Sequence, residues 1–299
     1  MSTILVPRLK RIFIVLSLLL VGAVACTTAN RPDTSGMNFA SDPLLGKVVW
    51  HDLITEDLEG VRPFYAGLFG WTFEEANTDR TANYVVARKG NIIVAGLLGR
   101  EAANDGENYS RWLPYISVDD VDAAVARSTA AGASVAVTAR DVAIGRVAAI
   151  IDPQGAVIGL VRSDIGDPDD ATTAAMPGRP VWTELLANDP RAAAGFYTTL
   201  AGYQPRSLER RGGEYIVLAS DGTDRAGIFQ NPAEGDYTPV WITAFGVDDP
   251  DAAAAKAVEL GGKIILPASP DLRDGTTAVI ADPSGALLVL QSWSKKGTD

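Results

Sequence analysis

Two tryptophans of this chain are each followed two residues later by a carboxylate: Asp52 follows Trp50, and Glu184 follows Trp182. Residues two apart in a β-strand point to the same face, so each pair shares a surface if these segments are strands. Indole faces and carboxylates both attract cations, and a carboxylate in apolar surroundings can also exchange protons. Three readings stay open: core residues with a hydrogen-bonded carboxylate, a ligand pocket, or an acid–base role for Asp52 or Glu184.

These pairs belong to an internal duplication of the chain. The offset is 132 residues for the tryptophans and for Tyr65 and Tyr197, each of which follows a phenylalanine. The spacing continues with offsets of 129 and 130 in three further pairs, which are Trp112 and Trp241, Gly132 and Gly261, and the segments 152–156 (DPQGA) and 282–286 (DPSGA). Self-similarity of this length indicates two copies of one domain.

Other chemistries have little support in the residues. His51 is the only histidine, it alternates away from Trp50, and its counterpart is Thr183, so we interpret it as a structural or interface residue. Arg146 at the start of a late strand is a candidate for binding an anionic group at a cleft rim, although solvent exposure is the usual position of an arginine. The sequence has no Gly-x-Ser-x-Gly elbow, phosphate-binding loop or dinucleotide fingerprint.

Each copy divides into two similar halves. In the first half, residues 48–54 read as a strand and residues 57–68 as a helix, because apolar residues recur at helical spacing until Gly70. Three short strands are expected next, and the second half repeats this order from residue 113 to residue 161. The pattern predicts a strand-helix-strand-strand-strand module that occurs four times.

These motifs resemble the vicinal oxygen chelate superfamily, which includes glyoxalase I, extradiol dioxygenases and bleomycin-resistance proteins. The similarity rests on the first strand, the Phe-Tyr pair, the Leu-x-Gly helix end and the DPxGA turns. It implies an α+β fold with two tandem domains, each made of two βαβββ modules that form a curved, cleft-bearing mixed sheet. The predicted organisation is a signal peptide (1–25), a lipid-anchored flexible tether (26–44), a first domain (45–164), a linker (165–178), a second domain (179–294) and a tail (295–299).

The resemblance also implies where a metal would be held. Carrying over the ligand positions by spacing gives eight residues, which are Trp50, Gly96, Leu113 and Gly159 in the first copy and Trp182, Gly227, Ile242 and Val289 in the second. None of these side chains can ligate a metal, and a shift by one residue gains only His51 on one strand. We therefore expect no metal and no other cofactor, and we leave open whether the chain is an enzyme.

The faces that carry Trp50 and Trp182 line the cleft in that family. The implied ligand-binding residues are Trp50, Asp52, Tyr84 and Tyr115 in the first copy and Trp182, Glu184, Tyr215 and Phe245 in the second. Aromatic walls with few polar groups suit a small organic molecule that is aromatic or cationic. We interpret the protein as a metal-free binder, by analogy with antibiotic sequestration; the alternatives are a metal-dependent glyoxalase- or dioxygenase-type enzyme and a non-catalytic envelope scaffold.

The first residues have the pattern of an export signal. Three basic residues precede an apolar run that ends at Ala23-Val24-Ala25 before Cys26, the only cysteine, and this exit resembles a bacterial lipobox. Cleavage would leave Cys26 lipid-modified and anchor the protein in the cell envelope, at the outer membrane in a Gram-negative bacterium. An ordinary secretory signal followed by a free cysteine is the alternative. The net charge of −11, which becomes −14 without the leader, predicts no nucleic-acid partner.

Overall fold

A computed structural model describes residues 33–76, 83–170, 176–210, 213–231, 238–270 and 273–292 of the chain. The signal peptide, Cys26 and the tail fall outside these residues. Within the described ranges, no helix has the length and apolar character needed to cross a bilayer. Residues 33–44 were predicted to be part of a flexible tether, but they are held by hydrogen bonds to the linker, such as Leu44 N to Asp167 Oδ2 at 2.7 Å.

The expected strand-helix-strand-strand-strand module occurs four times. The first copy contains β1 (Val48–Thr55), α1 (Leu58–Phe69), β2 (Thr72–Glu75), β3 (Tyr84–Lys89), β4 (Ile92–Gly99), β5 (Arg111–Ser117), α2 (Val121–Ala130), β6 (Ser134–Val142), β7 (Gly145–Ile151) and β8 (Val157–Ser163). The second contains β9 (Pro180–Ala187), α3 (Pro190–Ala201), β10 (Gln204–Arg210), β11 (Gly213–Ser220), β12 (Thr223–Gln230), β13 (Val240–Val247), α4 (Pro250–Glu259), β14 (Lys263–Leu266), β15 (Thr277–Ala281) and β16 (Leu287–Ser292).

Local sequence explains where the first helix starts and stops. The carboxylate of Asp57 accepts a hydrogen bond from the Gly60 amide at 2.9 Å and so caps the free N–H groups of α1. The helix ends at Gly70, whose φ of 67° lies in the left-handed region that glycine adopts without steric cost. Asp189 and Gly202 repeat the same cap and stop in α3.

Each copy forms one eight-stranded mixed sheet. The strand orders are β2-β3-β4-β1-β5-β8-β7-β6 and β10-β11-β12-β9-β13-β16-β15-β14. The first strands of the two modules pair antiparallel at the centre, and each pairs parallel with the last strand of its own module. This register places Asp52 beside Gly96 on one side and Leu113 on the other. The structure confirms the α+β fold with two tandem domains.

The two sheets pack against each other through the faces that carry the helices. One hydrophobic core joins Phe64 and Tyr65 of α1 to Phe245 and Leu288 of the second copy. The other core joins the second module of the first copy to α3, including Tyr197. Both cores are therefore shared between copies, and the sheet faces that carry Trp50 and Trp182 point away from this interface.

The DPxGA turns connect the copies through their aspartates. Asp282 Oδ1 accepts the Ala286 amide at 2.9 Å within its own turn, and its Oδ2 accepts the Tyr65 hydroxyl at 2.9 Å across the interface. The Asp152 turn does the same with the Tyr197 hydroxyl, also at 2.9 Å. The motifs that revealed the duplication thus build the interface between domains.

Candidate functional site

A buried carboxylate forms the centre of the outward face of the first sheet. Asp52 has only 8 % of its surface exposed, and its Oδ1 accepts the Trp50 indole N–H at 2.7 Å and the Tyr84 hydroxyl at 2.7 Å. The Tyr115 hydroxyl also interacts with this carboxylate. The structure therefore brings together all four residues that were predicted for the first cleft.

Two glycines make this arrangement possible. Tyr84 on β3 reaches Asp52 on β1 by crossing β4 at Gly96, where a Cβ atom would overlap the Tyr84 hydroxyl and the Asp52 carboxylate. The ring of Tyr115 on β5 lies against Gly159 of the neighbouring strand β8, where a Cβ would overlap it. Glycine is thus required at both positions for close approach, not for an unusual backbone angle.

The electrostatic environment of this cluster keeps the hydroxyl groups of Tyr84 and Tyr115 protonated. Burial raises the pKa of Asp52, and hydrogen bonds from Tyr84, Trp50 and Tyr115 oppose that rise. Burial and the neighbouring Asp52 charge raise the pKa of Tyr84 and of Tyr115 well above the usual tyrosine value. The tyrosines are therefore hydrogen-bond donors at neutral pH.

The second sheet carries a related cluster around Glu184, which is 6 % exposed. The Tyr215 hydroxyl donates to Glu184 Oε1 at 2.5 Å and accepts the Trp182 indole N–H at 2.8 Å. Gly227 again provides the room, because a Cβ there would overlap the Tyr215 hydroxyl. Burial and the Glu184 charge raise the pKa of Tyr215. Three of the four residues predicted for this cleft are therefore together.

Phe245 was predicted to line the second cleft, and this prediction is wrong. Phe245 is fully buried in the core between the domains, where its ring centroid lies 5.0 Å from that of Trp112. Ile242 and Ala244 pair with Glu184 and Trp182 on the outward face, and Phe245, one residue further along β13, points to the opposite face. Ala244 stands at the place of Tyr115, which the offset of 129 shared with Trp112 and Trp241 would have indicated.

Two arginines take part in the second cluster and were missed from the sequence. Arg273 lies in a 3₁₀ turn (Arg273–Gly275) and donates to both carboxylate oxygens of Glu184. The guanidinium carbon of Arg210 lies 3.9 Å from the ring centroid of Tyr215, a cation–π contact. Arg273 has a φ of 49°, which is uncommon outside glycine and gives no signal in the residue pattern.

Neither cluster has the residues needed for the metal site of the vicinal oxygen chelate superfamily. The four inherited ligand positions of each copy lie on four adjacent central strands, yet they carry tryptophan, glycine and aliphatic side chains. Three of the eight positions are glycines, and tyrosine side chains occupy the space beside each of them: Gly96, Gly159 and Gly227. Across the described residues, no group of three or more His, Cys, Asp or Glu side chains is placed to hold a metal ion.

His51 and Arg146 take no part in either cluster. His51 Nε2 lies 3.2 Å from Thr183 Oγ1 between the domains, and burial lowers the pKa of His51 to about 3. This confirms the interpretation of His51 as an interface residue. Arg146 is paired instead with Asp122 at 2.5 Å and Asp141 at 2.8 Å on the surface.

Comparison with known proteins identifies the family. A model of the Glyoxalase/Bleomycin resistance protein/Dioxygenase superfamily matches residues 46–160 and 179–290. The chain is 34 % identical over 243 residues to "Putative glyoxylase CFP32" of Mycobacterium tuberculosis, covering 80 % of this chain and 91 % of the relative. It is 31 % identical over 253 residues to "Anthracycline biosynthesis protein DnrV" of Streptomyces peucetius, covering 81 % and 91 %. The chain belongs to this superfamily.

Solved structures show the same fold at low identity. The Mn(II)-bound glyoxalase from Novosphingobium aromaticivorans superposes with a TM-score of 0.56 at 18 % identity, covering 83 % of this chain and 82 % of that one. The 2,3-dioxygenase LapB from Pseudomonas sp. KL28 gives a TM-score of 0.56 at 14 % identity, covering 84 % and 94 %. At these identities the likeness extends to the fold only.

Proposed function

We propose that this protein binds a small organic molecule on the outward faces of its two sheets, without the metal of its superfamily. The observation that carries the proposal is the cluster at each sheet centre, where a carboxylate, a tyrosine and a tryptophan stand in place of metal ligands. A hydrogen-bonded carboxylate surrounded by aromatic rings offers flat apolar contact together with fixed polar groups.

The two clusters suit different ligand groups. In the first, the partly exposed rings of Trp50, Tyr84 and Tyr115 surround Asp52, which favours an aromatic or cationic molecule. In the second, Arg273 already compensates the charge of Glu184 and Arg210 already covers the Tyr215 ring, so a cation gains less there. The name of the Streptomyces relative refers to anthracycline biosynthesis, which supports an aromatic ligand for this chain.

Names of relatives also favour a second candidate, an enzyme of the glyoxalase or dioxygenase type. A metal-dependent form needs donors that the eight inherited positions do not supply. Asp52 is the candidate acid–base group of this alternative, because it is a buried carboxyl group whose pKa is raised by burial. Turnover that is abolished by Asp52→Asn and unaffected by chelators would support this candidate over binding alone.

We also propose that the protein acts at the bacterial cell envelope, anchored by a lipid on Cys26. Support comes from the apolar leader and the Ala23-Val24-Ala25-Cys26 exit. An anchored binder would intercept molecules at the cell surface before they reach the cytoplasm. A non-catalytic scaffold at the same place remains the alternative if neither sheet face takes a ligand.

The binding proposal is tested on the mature chain carrying Cys26→Ser, purified without chelators. Elemental mass spectrometry is expected to find no stoichiometric iron, zinc, manganese or nickel, and native mass spectrometry to find a retained organic molecule. Trp50→Ala and Trp182→Ala should each remove binding at one sheet, while Tyr109→Ala, at a partly exposed residue outside both clusters, should not. Stoichiometric metal would overturn the metal-free proposal, and a ligand stoichiometry unchanged in both tryptophan variants would overturn the assigned sites.

A further inference from the structure

A groove of about 360 Å³ lies between the two sheets, at one end of their central strands. Its walls come from equivalent segments of the two copies, which are residues 47–51 and 92–94 of the first and residues 179–183 and 223–225 of the second. Met37, Pro168 and Asp170 complete the lining. A volume of this size accommodates a small organic molecule.

Cations dominate the charged groups of this groove. Lys47 Nζ and Arg225 Nη1 share one carboxylate, that of Asp170, at 2.9 Å and 2.8 Å. Arg179 adds a third cation to the lining, at the position equivalent to Lys47. The remaining carboxylate of the groove, Asp224, is paired with Arg206 outside it. The lining thus carries three cations and two carboxylates, whereas the chain as a whole has a net charge of −11.

Arg225 gives the most specific indication that the groove suits an anion. Its side chain is only 7 % exposed, yet its Nε has no hydrogen-bond acceptor among the described residues. A buried N–H without an acceptor is costly, and a charged donor in low-dielectric surroundings binds anions strongly. A ligand oxygen near Arg225 would satisfy this nitrogen and share the charge that Asp170 now balances for two cations.

The two walls differ although the strands are equivalent. β4 contributes Ile92, Ile93 and Val94, whereas β12 contributes Thr223, Asp224 and Arg225 at the same positions. The edge of the groove formed by β4 is therefore apolar, and the edge formed by β12 is polar. Such an asymmetric lining matches a molecule with an apolar body and a charged head.

We propose that this groove between the domains binds a small amphipathic organic anion, a carboxylate or sulfonate with an aromatic or aliphatic body. The anionic head lies at Arg225 and Lys47, and the apolar body lies along Ile93 and Val94. This site adjoins the carboxylate clusters, because Trp50 and Trp182 line the groove as well, but Asp52 and Glu184 are not part of its lining. It uses cations where those clusters use carboxylates.

The test uses naphthalene-2-sulfonate as the probe and 2-naphthol as its neutral analogue, titrated by calorimetry into the mature chain carrying Cys26→Ser. The sulfonate is expected to bind at least about tenfold more tightly than the naphthol, because only the sulfonate can pair with the guanidinium. Arg225→Gln should weaken sulfonate binding by about tenfold. Asp170→Asn should tighten it, because the carboxylate that competes for the same cations is removed.

If Arg225→Gln weakens sulfonate binding and Asp170→Asn tightens it, the effects come from the groove and not from general damage to the fold. Arg191→Gln is the matched control, because Arg191 is an exposed arginine that pairs with Glu214 away from the groove. Tyr84→Phe, which alters the first cluster, should leave sulfonate binding unchanged even if it abolishes binding at that cluster. Thermal melts of each variant identify any that fail to fold, and Asp170→Asn then carries the test alone. Absence of sulfonate binding, or affinities unchanged in both groove variants, would overturn the proposal.

Discussion

The hydroxyl of Tyr65 donates a hydrogen bond to Asp282 Oδ2 at 2.9 Å, although these residues belong to different copies of the repeat. Tyr197 and Asp152 form the equivalent contact at the same distance. In each pair the tyrosine oxygen also accepts an indole N–H, from Trp112 at 3.1 Å or Trp241 at 2.8 Å. The most recognisable residues of the duplication therefore hold the domains together, and the sites open on the opposite faces.

We predict that Tyr65→Phe and Tyr197→Phe each lower the free energy of unfolding by about 1–3 kcal/mol. Each change leaves a buried aspartate oxygen and a buried indole N–H without a partner, and unpaired buried groups carry most of the cost of a lost hydrogen bond. Urea unfolding followed by circular dichroism measures the difference.

Tyr109→Phe is the control for these variants. The Tyr109 hydroxyl also donates to a carboxylate, Asp105 at 2.7 Å, but the contact is exposed to solvent. Its loss should change stability by less than about 0.5 kcal/mol. Equal effects at all three tyrosines would show that the contacts between copies are not special.

The single histidine predicts a pH dependence of stability. Burial lowers the pKa of His51 to about 3 in the folded protein, whereas an unfolded histidine titrates near 6.5. Between these values the unfolded chain binds a proton that the folded chain does not, so stability falls as pH drops from about 6.5 towards 3. The slope from this group approaches about 1.4 kcal/mol per pH unit.

His51→Gln should remove that contribution while its side chain can still contact Thr183. The measurement is the difference between the unfolding free energies of the natural chain and the variant at several pH values, since the carboxylates titrate in both and cancel. A difference that does not change between pH 7 and pH 4 would contradict the buried neutral state of His51.

The envelope proposal predicts that Cys26→Ser moves the protein from the membrane fraction to a soluble fraction. Lipidation requires the thiol, and a hydroxyl cannot replace it in the same linkage. Thr27→Ser changes the neighbouring residue without touching the thiol and serves as the control. Cell fractionation with immunoblotting reads the outcome, and a serine variant that stays with the membrane would disprove the lipid anchor.

Alternation and spacing predicted much of the site because they act locally. Trp50 and Asp52 share a face, as two residues of one strand must, and His51 lies on the other face. The prediction failed at Phe245 because it placed the counterpart of Tyr115 one residue too far along β13, and a shift of one residue changes the face. Arg273 reaches Glu184 from a turn 89 residues further along the chain, a contact that no local pattern contains.

The sequence also could not show that the tyrosine and aspartate motifs form the interface between the domains. The duplication shows that Tyr65 and the DPxGA turns recur, but a repeat cannot indicate whether its residues face a ligand or the other copy. Only the packing of the sheets places the Tyr65 hydroxyl on Asp282. By contrast, the residue types alone show that the metal-ligand positions of the family carry no ligand side chains. A tryptophan, glycine or aliphatic residue cannot coordinate a metal in any orientation.

Gly96→Ala tests whether the space at one inherited metal position is filled. A methyl group there would overlap the Tyr84 hydroxyl and the Asp52 carboxylate, so we expect a loss of about 2 kcal/mol or more in the free energy of unfolding. Removing the hydroxyl makes room, so the double variant with Tyr84→Phe should recover part of this loss relative to the sum of the single changes.

Gly195→Ala is the matched control, because Gly195 lies inside α3, where an added methyl group would meet no atom within 4 Å, and alanine favours helix by about 0.5–1 kcal/mol. Stabilisation at residue 195 with destabilisation at residue 96 would show that the cost comes from the crowded sheet centre. A Gly96→Ala variant as stable as the natural chain would mean that the sheet centre has room for a larger side chain. In that case the Tyr84 hydroxyl would not fill the place of a metal ligand.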